Sequence, residues 1–355
     1  MELAEGEEPA GVRDAQLKIA CFSSSTLHLI LLPTEQCNFR CTYCYETFEN
    51  RKMGPKVVAG VKAMIDHRGP ELDTLELGWF GGEPLLALDI IEDISRHAIE
   101  RSRSDGFAFS ASATTNGYFL DPETFRRCLD SRISGYQISV DGDEALHDKT
   151  RMLASGQGTF RRIWSNLLQM KAVDAEFVVV LRLHYCLENY KELARFGRTV
   201  REEFGDDKRF SVMFKAVERL GGPNDASISK MSHAQRDEIE DYLADQSGIS
   251  NRYEIPKKYV CYAGKGNSLV IRSTGGIAKC TVALNSDFND IGRLQPDGFI
   301  DVDQSRFRRW MAPVLEARWD DAQCPVGSVG KAAALDRVAD RVGVPDGHHR
   351  LITAR

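Results

Sequence analysis

No apolar run in the chain approaches the ~18 residues that a membrane-spanning helix needs, so the sequence offers no membrane span. Basic blocks are missing too. Lys and Arg are dispersed through a chain of net charge −6, which leaves no electrostatic footprint for nucleic acid. The N-terminus, Met1 to Pro9, is acidic and lacks the positive and apolar regions of a signal peptide. There is no low-complexity tract, and no internal repeat beyond a strand–helix unit. An even set of cysteines, as in a disulfide framework, is also lacking. Nine cysteines without a secretion signal argue for a reducing cytoplasm and for metal binding.

What remains is ordinary in bulk: 355 residues, 42% hydrophobic and 28% charged, enough for one large domain and a smaller one. The distinctive stretch is Cys37-Asn38-Phe39-Arg40-Cys41-Thr42-Tyr43-Cys44. It follows an apolar run, Leu27 to Leu32, that reads as a buried strand ended by Pro33 to Gln36. Three thiolates on one tight loop can hold three irons of a cubane cluster, leaving a fourth iron open to a small molecule. A structural zinc site is the alternative. Zinc usually takes four ligands as two separated pairs, whereas this loop offers three cysteines and no nearby His, since His28 lies upstream in the strand. A disulfide would leave one of the three unpaired.

From Leu27 strands and helices alternate. Strands are expected at Leu75–Phe80, Phe107–Thr115, Tyr136–Val140, Phe177–Tyr185 and Phe210–Ala216, and helices near 55–67, 85–103, 122–131, 159–172 and 188–204. Pro55, Pro84 and Pro122 stand where a first helical turn tolerates proline. Six strands alternating with helices imply a parallel sheet with right-handed crossovers. Gly221-Gly222-Pro223-Asn224-Asp225 breaks the alternation. A polar helix, Ser232–Gln246, follows as a bridge, and short strands and turns begin after Cys261. The expected division is a leader or cap at 1–25, a barrel at 26–225, a helical bridge at 226–249, a small domain at 250–330, and a C-terminal helix and loose tail at 331–355.

C-x3-C-x-aromatic-C with Tyr43 in the aromatic place, together with Gly81-Gly82-Glu83-Pro84 after the next strand, resembles the radical SAM superfamily. That resemblance implies an α/β fold with a partial six-stranded (β/α) barrel. It also implies a 4Fe–4S cluster on Cys37, Cys41 and Cys44, whose open iron binds S-adenosylmethionine (SAM). Reduction then yields a 5′-deoxyadenosyl radical. Parallel barrels place ligands at the C-terminal ends of their strands, where the cysteine loop and the Gly81–Pro84 turn both fall.

Further residues match the superfamily's SAM pocket. Gly81 and Gly82 would let backbone approach the ligand, and Glu83 would accept bonds from the methionyl amine. Asn116, in Thr115-Asn116-Gly117, would bond the ribose or methionyl portion, although Asn-Gly is also ordinary turn chemistry. Ser139 resembles the S-x-D-G strand end, while Asp141 shapes the turn. Arg151 would grip the SAM carboxylate with its two-pronged donor. Period two puts Arg182 and His184 on one strand face, where Arg182 could meet SAM and His184 the substrate; a core histidine is an equal reading. Cys21, Cys128 and Cys186 read as ordinary thiols, with Cys186 on the Arg182 face.

Near the C-terminus, Cys261, Gly275, Cys280 and Cys324 resemble the SPASM/twitch extension of sulfatase and peptide maturases. Thirteen residues separate Cys261 from Gly275, four separate Gly275 from Cys280, and Gly327 stands where Cys324 would have its C-x2-C partner. The truncated, single-cluster twitch form fits that pattern, with Cys261, Cys280 and Cys324 on one auxiliary iron–sulfur cluster. The implied function is a cytoplasmic maturase that takes a hydrogen atom from a ribosomally made peptide, foremost to form a cross-link, with epimerisation and formylglycine formation behind it. Its partners would be a precursor peptide, a reducing donor such as a flavodoxin or ferredoxin, and a separate leader-peptide-binding protein. Other classes are a small-molecule or RNA-modifying radical SAM enzyme and a non-enzymatic electron carrier.

Overall fold

The computed structural model describes residues 10–249 and 259–342. The acidic start, the start of the expected small domain at 250–258 and the tail from Pro345 lie outside the described residues. The chain runs α1 (Ala10–Phe22), β1 (Thr26–Thr34), α2 (Pro55–Arg68), β2 (Thr74–Gly81), α3 (Leu88–Asp105), β3 (Ala108–Thr115), α4 (Pro122–Asp130), β4 (Ile133–Ser139), α5 (Glu144–Thr150), α6 (Phe160–Lys171), β5 (Val178–Tyr185), α7 (Tyr190–Phe204), β6 (Phe210–Ala216) and α8 (His233–Ser247). The C-terminal module then adds β7 (Ser268–Ile271), β8 (Gly276–Ala278), β9 (Gly292–Leu294), β10 (Ile300–Val302), α9 (Gln304–Leu315), α10 (Trp319–Gln323) and α11 (Val326–Val342).

Strands β1 to β6 lie side by side in chain order, each parallel to the next. They form the expected partial barrel: β6 and β1 do not pair, so the wall is open on that side. Leu27, Leu29, Leu31 and Leu32 of β1 are buried almost completely, as suits a parallel strand covered on both faces. The helix starts follow the proline rule. Pro55 opens α2 and Pro122 opens α4, where Asp121 also caps Thr124 N at 3.0 Å. Pro84 opens a short 3-10 turn rather than α3 itself.

The structure adds three features to the sequence reading. Within the stretch read as a leader or cap, residues 10–22 are a helix, tied to the C-terminal module by Gly266 N donating to Cys21 O at 2.8 Å and Lys18 Nζ to Leu315 O at 2.9 Å. The short strands after Cys261 do not make a sheet of their own. β7 pairs in parallel with β1, and β8, β9 and β10 follow antiparallel, so one ten-stranded sheet runs through both parts. The physical reason is the second face of β1: Ile30 and Leu32 pack with Val270, Ala278 and Leu284. Finally α5, seven residues capped by Asp143, stands in the loop that carries Arg151. Among the described residues no helix is long and apolar enough to cross a membrane.

Candidate functional site

The cysteine loop leaves the C-terminal end of β1 and is stitched to two other loops at the same end of the sheet. On one side it meets the segment after α5: Arg40 N donates to Met152 O (2.9 Å), Thr42 N to Thr150 O (2.9 Å) and Ala154 N to Asn38 O (2.8 Å). On the other side it meets the turn after β2, where Glu83 N donates to Gln36 O at 2.9 Å. That turn needs its glycines. Gly81 has φ +122°, and a Cβ there would stand 2.2 Å from Thr34 O. A Cβ on Gly82 would stand 2.5 Å from Gln36 O and 3.0 Å from the Cys37 Cβ. In this structure the two glycines let the turn and the cysteine loop touch.

Glu83 is fully buried and faces its own neighbours. Its Oε1 accepts from Thr115 Oγ1 (2.7 Å) and Leu85 N (3.1 Å), and its Oε2 from Asn116 N (2.7 Å). Burial pushes its pKa up to about 7 against those three bonds. Asn116 in turn donates through Nδ2 to Asn38 Oδ1 at 2.8 Å, which carries the chain of contacts back to the cysteine loop. Three of the carboxylate's roughly four acceptor positions are thereby taken by protein donors.

Asp141, read from sequence as a turn former, is the hub of the site. It accepts from the Tyr43 hydroxyl (2.7 Å to Oδ2), the Thr150 hydroxyl (2.7 Å) and His184 Nδ1 (3.1 Å). Arg151 Nη1 donates to the Tyr43 oxygen at 2.8 Å. Burial raises the Asp141 pKa, but the hydrogen bond from His184 and the charge of Arg151 outweigh it and hold the carboxyl well below the usual range. Burial lowers the His184 pKa to about 4 despite Asp141, so at neutral pH His184 is uncharged and its Nδ1–H points at Asp141. His147, also pushed down to about 4 by burial, accepts from Asp141 N through Nδ1 (3.3 Å) and donates through Nε2 to Thr159 Oγ1 (3.0 Å). Thr159 closes the ring on Arg151 O at 2.6 Å. The Arg151 backbone is thus fixed from one side and its guanidinium from the other. Sequence spacing could not show this hub, because Tyr43 and His184 lie 98 and 43 residues from Asp141.

Arg182 and His184 share a face as read from sequence: His184 meets Asp141 and Tyr43, while Arg182 pairs in register with Ser139 at the end of β4. Cys37, Cys41 and Cys44 are partly buried and stand together; burial lifts all three thiols, Cys44 to about 12, while the charge of Cys41 raises both Cys37 and Cys44 further and that of Cys44 raises Cys37. Cys37 Sγ accepts from Phe39 N at 3.3 Å. A cation is what such a crowded thiolate set needs to stay deprotonated. Buried polar atoms beside it have no protein partner: Nε of Arg151, Nε of Arg182 and Nδ2 of Asn38. These are donors suited to a ligand carboxylate or hydroxyl. The residues fit an iron–sulfur cluster with SAM. Among the described residues no group of three or more His, Cys, Asp or Glu is drawn together around a single metal ion. A tetrahedral zinc site would draw its thiolates to about 3.8 Å from one another, through bonds of about 2.3 Å.

The second cysteine set is assembled by the C-terminal module. Cys261 N donates to Ala322 O at 3.0 Å, which brings the Cys324 segment alongside. Cys280 follows β8, and Cys280 and Cys324 both raise the Cys261 thiol, which burial first lifts, to about 11. Gly275 turns the β7–β8 connection at φ +83°. Lys279, which sequence reasoning passed over, is fully buried beside them and donates to the carbonyls of Lys265 and Ser268. Cys21 is buried with Val260, Val314 and Ala322, Cys128 lies in the main core, and the Cys186 thiol sits against Glu188.

An uncharacterized protein of Methanocaldococcus jannaschii is 24% identical over 267 residues, covering 71% of this chain and 84% of that protein. The serine-type anaerobic sulfatase-maturating enzyme of Klebsiella aerogenes is 29% identical over 187 residues, 48% of this chain and 44% of the enzyme. The chain thus matches less than half the length of that maturase. Among solved structures, anSMEcpe with bound AdoMet and a Kp18Cys peptide superposes with a TM-score of 0.62 over 86% of this chain and 88% of that one, at 17% identity, a likeness of fold. The family described as the radical SAM superfamily matches residues 31–199, the span from β1 through most of α7 that carries the cysteine loop, Glu83, Asp141 and Arg151, and over that span the chain is similar to the superfamily.

Proposed function

We propose that the chain is a maturase that modifies a side chain of a ribosomally made peptide, with cross-linking as the leading outcome. The observation that carries it is the mouth of the sheet: a three-cysteine loop held against Glu83 on one side and Arg151 on the other, with a second cysteine set on the same sheet. When bound, a reduced cluster with SAM supplies a 5′-deoxyadenosyl radical able to take a hydrogen atom from an unactivated carbon. Everything else falls to the chain. Cys37, Cys41 and Cys44 would hold the cluster. Arg151, oriented by Tyr43 and Thr159, would hold the SAM carboxylate. The backbone of Gly81 and Gly82, Asn116, Ser139 and Arg182 would line the rest of that pocket, with Glu83 supporting it from behind. His184, neutral and hydrogen-bonded to Asp141, would stand on the substrate side of the pocket. Cys261, Cys280 and Cys324 would bind one auxiliary cluster, able to anchor the peptide or accept an electron after hydrogen abstraction.

The sulfatase-maturating relative supports the peptide reading and keeps formylglycine formation as the second one. A short precursor encoded beside this gene is the proposed substrate, with a small reducing protein as electron donor. Coexpression of the two, followed by mass spectrometry of the peptide, tests the proposal. A cross-link removes two hydrogens; so does oxidation of serine to formylglycine, and only the latter reacts with a hydrazide. Unchanged mass with inverted chirality would mean epimerisation. A peptide unaltered in mass and chirality, beside an enzyme that cleaves SAM, would overturn the peptide reading.

A further inference from the structure

The Gly221-Gly222 break, read from sequence as a boundary, lies against the cysteine loop. A Cβ on Gly222 would stand 2.4 Å from Cys44 O, 2.8 Å from Tyr45 Cα and 3.2 Å from Cys44 C. All three are backbone atoms, so no rotamer change could relieve the approach. Gly221, at nearly the same φ (+95° against +93°), has nothing within 4 Å of its own Cβ position. The loop is shaped from within, by Gly221 N donating to Asp225 Oδ1 at 2.8 Å and Arg219 Nε to Ile228 O at 2.7 Å. It springs from β6, the last strand of the six, while Cys44 follows β1, the first, and those two strands do not pair. The contact therefore spans the open side of the partial barrel at its mouth. From the C-terminal module, Asn285 Nδ2 reaches Tyr45 O at 3.5 Å.

We infer that Gly222 is a positioning residue for the cysteine triad: the loop after β6 closes the gap to β1 and sets the backbone of Cys44. This rests on the reading that Cys37, Cys41 and Cys44 bind the SAM-cleaving cluster. A side chain at Gly222 must push the two loops apart and move the third thiolate out of register with the other two. A side chain at Gly221 incurs the same left-handed backbone cost without that displacement.

The test compares Gly222→Ala with Gly221→Ala, both reconstituted anaerobically and matched to the parent by circular dichroism. Iron content, the spectral response to added SAM, and iron loss to a chelator are read. Groups that support metal ligands typically set affinity by about ten- to a hundredfold. Gly222→Ala is therefore expected to lose the SAM-responsive iron at least about tenfold faster, with Gly221→Ala following the parent. Equal behaviour of the two variants overturns the role. The triple variant of Cys37, Cys41 and Cys44 to Ala separates the failures: a SAM-responsive signal retained there overturns the triad reading, whereas a lost signal there with a parent-like Gly222→Ala overturns the positioning role alone. Should Gly222→Ala not fold, amide exchange in the unmodified chain decides. Iron loading is expected to slow exchange at 221–224 together with 42–46, and unchanged exchange at 221–224 overturns the inference.

Discussion

Arg151 is the residue whose setting says most about its use. Its guanidinium is buried, bound at one end to Tyr43, and has an unpaired Nε at the other. A lost charged hydrogen bond costs roughly 1.5–3 kcal/mol, so Arg151→Met should weaken SAM binding by about ten- to a hundredfold in a titration of the reconstituted protein. Affinity equal to the parent would remove Arg151 from the pocket. Glu83 leads elsewhere. Its three protein donors make it a strut between the turn after β2 and Asn116. Glu83→Gln turns an amide N–H toward one of those donors, and an unsatisfied buried group costs about 1–3 kcal/mol. Urea unfolding of the metal-free variant should show that loss; unchanged stability would mean the strut carries nothing. The cysteine triad was legible in sequence because its members are contiguous and their spacing is itself the chemistry. Asp141 was not, because its partners arrive from three separate strands and loops, and local spacing carries no trace of them.

Among elements, β1 carries both halves of the molecule. Its neighbours are β2 on one edge and β7 on the other, and His28 faces that second seam with Nδ1 3.0 Å from Ser268 Oγ. Burial, with the charges of Lys265 and Lys279, lowers the His28 pKa from 6.5 to about 4. Between those two values the unfolded chain binds a proton that the folded chain refuses. The site's stabilisation is therefore complete above pH 6.5 and is lost as pH falls toward 4, by about 3 kcal/mol at one pKa unit per 1.36 kcal/mol. Denaturant unfolding from pH 7 to pH 4 should show a shallower decline for His28→Gln than for the parent; parallel declines would place the titration elsewhere. Element type was legible wherever apolar periodicity or a capping signal lasted a full turn or strand. The seven-residue α5 was too short to leave a period. The β7–β1 pairing was hidden for another reason: a run such as Leu27–Leu32 announces burial on both faces but not which strand lies on either edge.

For the whole molecule, a sheet that begins at β10 and ends at β6 puts both cysteine sets on one continuous support. Three loops converge on Cys37 to Tyr45: the turn after β2, the segment after α5 and the glycine loop after β6. Sequence motifs mark the first two as cofactor residues, and the third reads only as a break in the strand–helix alternation, since a glycine's neighbours across space are not written beside it. The central claim is that the triad serves SAM cleavage. Its most direct measurement is 5′-deoxyadenosine released from SAM by the reduced, reconstituted parent and by the variant with Cys37, Cys41 and Cys44 changed to Ala, with iron counted in both. The expected result is release by the parent, none by the variant, and a loss of about one four-iron cluster; release by the variant at the parent's rate would contradict the account.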